Sequence, residues 1–535
     1  VDFCDTEYVG RRLFLKKFWV SLVLVGFAGG VWAQATATPQ TEEKPKPGVS
    51  EPAQNAGASA EVRLTQAQQK VLLADIDATL KFVSENTKLE LKHPVKGVFI
   101  SRDAVAKELR KKLDEDKDAK RMERSELVLK KFGLLDRDFH LRPFLLSLLT
   151  EQIAGYYDAK TRTMNLLDWV PEDQQLPVMA HELTHALQDQ RVNLDKWGDQ
   201  EVPGIAKNVD EDNHHIRNDE ADTARQAVLE GQAMVGFGDY ALKDSGKTMK
   251  DVPELAEQLA QGAGDMSGSP VLGRAPLVLQ QSLLFPYTEG LTFEEAILVK
   301  SGTEQAFAST LDQPPSSSSE ILHPAQYLAH APVPVLRLPD IHPLLSAAGY
   351  EPYDVGVMGE VDVRMTTELF GGRPMAEALA PNWAGGIYYA AQKKTAVDKD
   401  STASLALLYS SRWKNEDSAR SFFQVYDGQL PRKYTGLKRR KADEKDDTER
   451  VYSTDEGDVL LTLLGNNVYI GEGFDLALSR KLRDAVDAAN PQGNGRIMQA
   501  ESGSQRSGPA VQGELLGGLS QWINSFGMMK VGLIR

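Results

Sequence analysis

Cysteine is almost absent from this 535-residue chain, in which Cys4 is the single one. It precedes the first apolar run, the wrong place for a lipid-modified mature N-terminus, and the chain beyond it can form no disulfide. Long hydrophobic runs are missing too. The apolar run from Phe18 to Val31 covers fourteen residues, short of the roughly 20 that a membrane-spanning helix needs. Positive charge is in deficit: 61 Lys and Arg face 76 Asp and Glu, a net charge of −15. That argues against nucleic acid as a partner, because phosphate binding concentrates Lys and Arg. The 41% hydrophobic and 26% charged content is that of an ordinary globular protein, and the length calls for two or three domains.

What is present begins with Arg11, Arg12, Lys16 and Lys17 ahead of the apolar run, with Val31-Trp32-Ala33-Gln34-Ala35 after it. Basic, apolar and small-residue regions in this order make residues 1–35 a secretory signal peptide, cut after Ala33 or Ala35. The chain is therefore expected to be exported, periplasmic or extracellular; an uncleaved segment would anchor it to the membrane instead. Residues 36–61, rich in Pro, Ala, Gln, Glu and Ser, read as a disordered linker.

The stretch that carries chemistry is His181-Glu182-Leu183-Thr184-His185. On a helix, with 3.6 residues per turn, His181 and His185 project from one side and Glu182 sits beside them. Two imidazoles and a neighbouring carboxylate suit a zinc ion, with the glutamate acting on water as general base. Leu176, Met179, Ala180, Leu183 and Leu187 recur at helical spacing, and Pro177 is expected in the first turn. The histidines should lie at the edge of an apolar face on a half-buried helix. Upstream, Gly155-Tyr156-Tyr157 and Thr163 to Leu167 flank a polar turn and predict a hairpin. Its edge would pair with a substrate backbone or simply pack. Downstream, 191–217 reads as a polar stretch in which His214 and His215 face solvent. Helix resumes from Asp219, and Glu230 stands there among small and apolar neighbours, where a carboxylate needs a partner or a metal.

With these motifs the chain resembles the gluzincin type of zinc metallopeptidase, and more closely a group of bacterial exported metallopeptidases. The shared pattern joins Gly-Tyr-Tyr-Asp (155–158), the helix His181 to Gln190, and Glu-Gly-x-Ala (230–233). The resemblance implies His181, His185 and Glu230 as ligands of one zinc per chain, with the fourth position open to water, and Glu182 as general base and later proton donor. A metzincin would place a third histidine six residues after the second, where Arg191 stands. Gln232 departs from the acidic residue expected in relatives. The resemblance also covers Ser-Glu-x-x-His-Pro (319–324), and zinc peptidases use a Tyr or His to donate to the oxyanion. His323 is the first candidate for that role and Tyr287 the second; core or capping roles are the alternative for both.

The expected fold is α+β: a mainly helical zincin-like metallopeptidase domain with a small sheet and edge hairpin over 62–345, then a smaller α+β domain over 346–489. Within the first, helices are expected at 62–86, 101–113 and 126–132, a strand at 95–100, and a helical segment closing at Phe285 to Gly290. Within the second, helices are read at 361–370, 416–426 and 474–488. Strands are read at 386–392, 404–413, 458–464 and 468–472, the last two a hairpin through Gly465-Asn466-Asn467. It has no ligand-spaced histidine or cysteine and would pack, recruit substrate or inhibit. Residues 490–535 read as a flexible tail, whose apolar 515–534 would give weak membrane-surface or partner binding. The function expected is a metalloendopeptidase acting on a protein or peptide substrate. Two alternatives remain at this point: a metal-stabilised, non-catalytic envelope protein, and a zinc hydrolase of a cell-wall amide.

Overall fold

The structure, a computed structural model, describes residues 63–114, 116–194, 197, 208–263, 269–491 and 498–500. The expected signal peptide and linker and the apolar segment 515–534 lie outside them. No described helix is long and apolar enough to cross a membrane. The chain is mixed α+β and predominantly helical, with a seven-stranded antiparallel sheet.

Helix α1 (Gln66–Thr87) starts from a capping box in which Thr65 and Gln68 satisfy each other's backbone N–H groups. Strand β1 (Lys96–Ile100), α2 (Arg102–Asp114), α3 (Asp116–Phe132) and α4 (Leu141–Gln152) follow. The segment expected at 126–132 is the second half of α3, which starts ten residues earlier at Asp116. Strands β2 (Gly155–Asp158) and β3 (Thr163–Leu167) form the expected hairpin. The Asp158 carboxylate closes its turn by accepting from the Lys160 and Thr161 amides. β1 joins β3 in parallel, so the sheet order is β1-β3-β2 and β2 is an edge.

Helix α5 (Glu172–Val192) carries the histidine motif and begins earlier than expected, so Pro177 lies in its second turn rather than its first. Packing overrides propensity here. Val178, Met179, Leu183 and Leu187 are fully buried, and each contributes about 1.5–3 kcal/mol. Helices α6 (Val209–Asn218), α7 (Ala221–Leu242), α8 (Glu254–Ala263) and α9 (Leu277–Ser301) complete the bundle. Two further expectations fail. The polar stretch holds α6, capped by Asn208, and its His215 is buried against Asp219 at 3.1 Å. Nor does a helix close at Gly290: α9, with Pro286 inside it, continues past Gly290 to Ser301. Gly290 marks a helix crossing instead, since a Cβ there would stand 2.2 Å from the Ala227 carbonyl oxygen, and one on Gly231 2.2 Å from that of Gly290.

After a π-helical turn at Gln305–Ser309 come α10 (Ser318–Leu322), α11 (Pro324–Leu328), β4 (Pro334–Val335) and α12 (His342–Ala347). The large sheet is built from β5 (Tyr350–Val357), β6 (Trp383–Lys393), β7 (Leu405–Trp413), β8 (Lys438–Arg439), β9 (Glu449–Thr454), β10 (Gly457–Leu464) and β11 (Asn467–Glu472). Its order is β5-β6-β7-β11-β10-β9-β8. Helices α13 (Glu360–Gly371), α14 (Arg373–Leu379), α15 (Glu416–Lys433) and α16 (Leu476–Ala489) accompany it, and β12 (Met498–Gln499) pairs with β4. At the start of the expected tail, Asn490 is buried and donates to the Arg337 carbonyl.

One hydrophobic cluster runs across the expected 345/346 boundary. Phe132 of α3 meets Tyr388 and Tyr409 edge-on, and the fully buried Lys131 pairs with Glu456 at 2.8 Å.

Candidate metal centre

Three elements converge on one point. His181 and His185 come from α5, Glu230 from α7, and Tyr287 from α9 forms a wall. The spacing of α5 and α7 is set by small residues: a Cβ on Gly236 would stand 2.3 Å from Thr184 Oγ1, so only glycine lets the helices approach this closely. The Gly231–Gly290 contact does the same for α7 and α9.

His181 Nε2 lies 3.1 Å from Glu230 Oε2 and His185 Nε2 lies 3.4 Å from it. The two Nε2 atoms are 3.2 Å apart. Ligands at about 2.1 Å around a tetrahedral ion stand roughly 3.4 Å from one another, so the triangle has the size of one face of such a site. Two nitrogens and a carboxylate oxygen are also the donor set that zinc accepts. Among the described residues these three form the group of His, Asp, Glu or Cys whose ligand atoms all lie within 4.8 Å of one another. His214, His215 and His323 are not part of it.

The charges fit a cation. Burial lowers the His181 imidazole to about 4 against the pull of Glu230, leaving it neutral. Burial works hardest against a charge on His185, but Glu230, Glu182 and the hydrogen bond to Gln188 together outweigh it and carry that ring up to about 9. Burial alone would raise Glu230; the His185 charge and the hydrogen bonds from both rings hold it at about 2. Positive charge is thus already favoured at this point, and a metal would take the place of a proton.

Glu182 is almost fully buried, and its Oε2 accepts the backbone N–H of Tyr157 at 2.8 Å. The edge strand β2 therefore holds the carboxylate beside the triangle. The Tyr157 phenol donates to Asp189 Oδ2, one turn beyond His185, at 2.9 Å. Tyr287 is buried and its ring stacks on that of His181, with centroids 6.2 Å apart and planes 20° from parallel. His323 Nε2 lies 2.8 Å from Glu360 Oε1, and Ser319 donates to the other oxygen of the same carboxylate. Glu360 ties that histidine to the start of α13.

The helix is not half-buried as expected. His181, Thr184 and Gln188 are all fully enclosed, because α7 covers the side that a sequence pattern marks as polar. Behind His185 stand two residues whose part the motif did not reveal. Gln188 Oε1 lies 2.8 Å from His185 Nδ1, and Gln188 Nε2 reaches Gln232 Oε1 at 2.9 Å. Helical spacing of three could have shown the first; the second needs the fold. Gln232 fills the place where an acid was expected, and the acid nearby is Glu294 of α9, beside Gln232 and Thr310. Burial pushes that carboxyl well above the usual range.

No family model, curated protein or solved structure matches the chain.

Proposed function

We propose that this chain is an exported, zinc-dependent endopeptidase of the gluzincin type. The observation that carries the reading is the convergence of His181 Nε2, His185 Nε2 and Glu230 Oε2 at 3.1–3.4 Å with the Glu182 carboxylate fixed beside them. His181, His185 and Glu230 would hold the ion. A zinc ion held there would supply Lewis acidity toward a carbonyl and toward water. Glu182 accepts the proton of the attacking water and returns it to the leaving amine. Tyr157 keeps Glu182 oriented through its backbone N–H. Strand β2, an edge of its sheet, offers a substrate an extended backbone to lie along. The chemistry of the donor set supports metal binding and water activation; peptide as the substrate rests on the motif resemblance.

The test is zinc content and hydrolysis of an unfolded protein by the purified chain and by Glu182→Gln. One zinc per chain in both, with cleavage by the wild type alone, is the expected result. A chain that binds no zinc defeats the reading at its root.

One observation favours a second reading, a metal that only braces the fold: His181, Glu182 and Glu230 are each no more than 4% exposed. Zinc retained by a wild type that cleaves neither proteins nor cell-wall amides would establish it.

A further inference from the structure

The two histidines of the centre are held in different ways. His181 Nδ1 is buried without a hydrogen-bond partner, and its ring is positioned by stacking on Tyr287. His185 is held by a directed chain of hydrogen bonds whose polarity can be read from its far end.

That end is the π-helical turn Gln305–Ser309. Gln232 Nε2 lies 3.0 Å from the Ala306 carbonyl oxygen and 2.9 Å from that of Phe307. Both are acceptors only, so the Gln232 group facing them has to be its NH2. Its Oε1 then faces Gln188, whose Nε2 donates to it at 2.9 Å and to the Leu229 carbonyl at 3.0 Å. The Leu229 carbonyl again admits only a donor, so Gln188 cannot be flipped either. Gln188 Oε1 is left to accept, and His185 Nδ1 is 2.8 Å away. Nδ1 of His185 therefore carries a proton, and when the ring gives up its other proton to a metal the lone pair falls on Nε2, toward His181 and Glu230. Gln188, Gln232 and Thr310 are all fully buried, where such bonds are strong and a broken one is costly.

We infer that Gln188 and Gln232 are positioning residues, a neutral amide relay that fixes the tautomer of His185 and couples the turn at 305–310 to metal affinity. This rests on the metal-centre reading above. The relay carries no charge, so it orients the imidazole without adding a third carboxylate to a centre that already holds Glu182 and Glu230. It also explains why glutamine stands at 232: a carboxylate there would face the Ala306 and Phe307 carbonyls with no proton to give.

The experiment measures Zn2+ affinity of the full chain by competition with a chromophoric chelator, alongside thermal melting of the metal-free proteins. Gln188→Leu is expected to weaken zinc binding about 10- to 100-fold, and Gln232→Leu to weaken it less, by roughly threefold to tenfold. Gln188→Glu restores an acceptor for His185 and should bind zinc within about threefold of the wild type, while melting lower because its donors to Leu229 and Gln232 are gone. The control is Gln175→Leu. Gln175 is equally buried on α5 and donates to the Leu167 and Val170 carbonyls, but it touches no ligand. It should lose stability and keep its zinc affinity. Imidazole 15N shifts of the zinc-loaded wild type should show His185 protonated at Nδ1.

Wild-type affinity in Gln188→Leu, an equal loss in Gln175→Leu, or a His185 proton on Nε2 would each overturn the relay. If Gln188→Leu does not fold, Gln188→Glu, Gln232→Leu and the 15N shifts still decide. A wild type that binds no zinc removes the metal-centre reading, and the relay with it; a wild type that binds zinc with no sensitivity at 188 removes the relay alone.

Discussion

The backbone N–H of Tyr157 donates to Glu182 Oε2 across 2.8 Å. The same residue's phenol donates to Asp189 Oδ2 at 2.9 Å, so one residue of the edge strand grips α5 at two points, on either side of His185. Tyr157→Phe keeps the backbone contact and removes the second grip. It is expected to cost about 1 kcal/mol in urea unfolding and to lower peptide hydrolysis roughly tenfold through misplacement of the base, with zinc content unchanged. Unaltered hydrolysis would show that the strand holds Glu182 without help from the phenol.

The glycine contacts between α7 and α9 make a second prediction. A Cβ on Gly231 would stand 2.2 Å from the Gly290 carbonyl oxygen, and backbone cannot swing away as a side chain can. Gly231→Ala should therefore destabilise by about 3 kcal/mol or more and displace the adjacent Glu230, weakening zinc binding. Gly428, inside α15, has nothing within 4 Å of its Cβ position. There alanine should stabilise by about 0.5–1 kcal/mol. Equal effects at the two sites in chemical denaturation would refute the close-approach argument.

These contacts also show what a sequence can and cannot reveal. The histidine pair was legible because helical spacing alone puts His181 and His185 together, and Glu230 because a carboxylate among alanines needs an explanation. Strands β6, β7, β10 and β11 were legible from their apolar runs. Strand β5 was not: Pro352 sits at a break in its register with β6, where an edge strand tolerates a residue that cannot donate. Strand β9 is polar in sequence, Glu449-Arg450-Val451-Tyr452-Ser453-Thr454, and its Glu449 is buried because Arg480 and Arg483 pair with it. The end expected for a helix at Gly290 mistook a crossing point for a cap. His215 looked like a loop residue because its partner Asp219 is recognisable only once α6 is seen to be a helix. The relay behind His185 closes over 40 to 80 residues of sequence, beyond the reach of any local pattern.

Asp239 supplies a pH test. It is 4% exposed and accepts the Met249 amide at 2.7 Å. Burial pushes its carboxyl up to about 6 despite that bond, with Asp251 adding to the rise. Between about pH 4 and 6 the folded chain thus keeps a proton that the unfolded chain has released, so this group's effect is to lower stability as pH rises through the window and then to level off. Asp239→Asn keeps an acceptor for Met249 and cannot ionise. It should be more stable than the wild type at pH 7 by up to about 3 kcal/mol, with the difference shrinking toward zero near pH 4. A difference constant from pH 4 to 8 in urea unfolding would mean an unshifted carboxyl.

Metal removal gives the last prediction. Zinc that binds only the folded chain stabilises it by mass action, about 4 kcal/mol when free zinc exceeds its Kd a thousandfold. Without the ion, His185 and Glu230 remain an ion pair, and the continuous hydrophobic cluster does not depend on it. EDTA should therefore lower the melting temperature by several degrees and leave the chain folded at 25 °C, and added zinc should restore the loss. In Glu230→Ala the third ligand is missing, so neither EDTA nor zinc should move the transition. In Glu182→Gln all three ligands remain, so the full shift should persist although hydrolysis is lost. An EDTA shift of wild-type size in Glu230→Ala would place the ion outside the triangle of His181, His185 and Glu230, and the proposed chemistry of Glu182 would lose its metal.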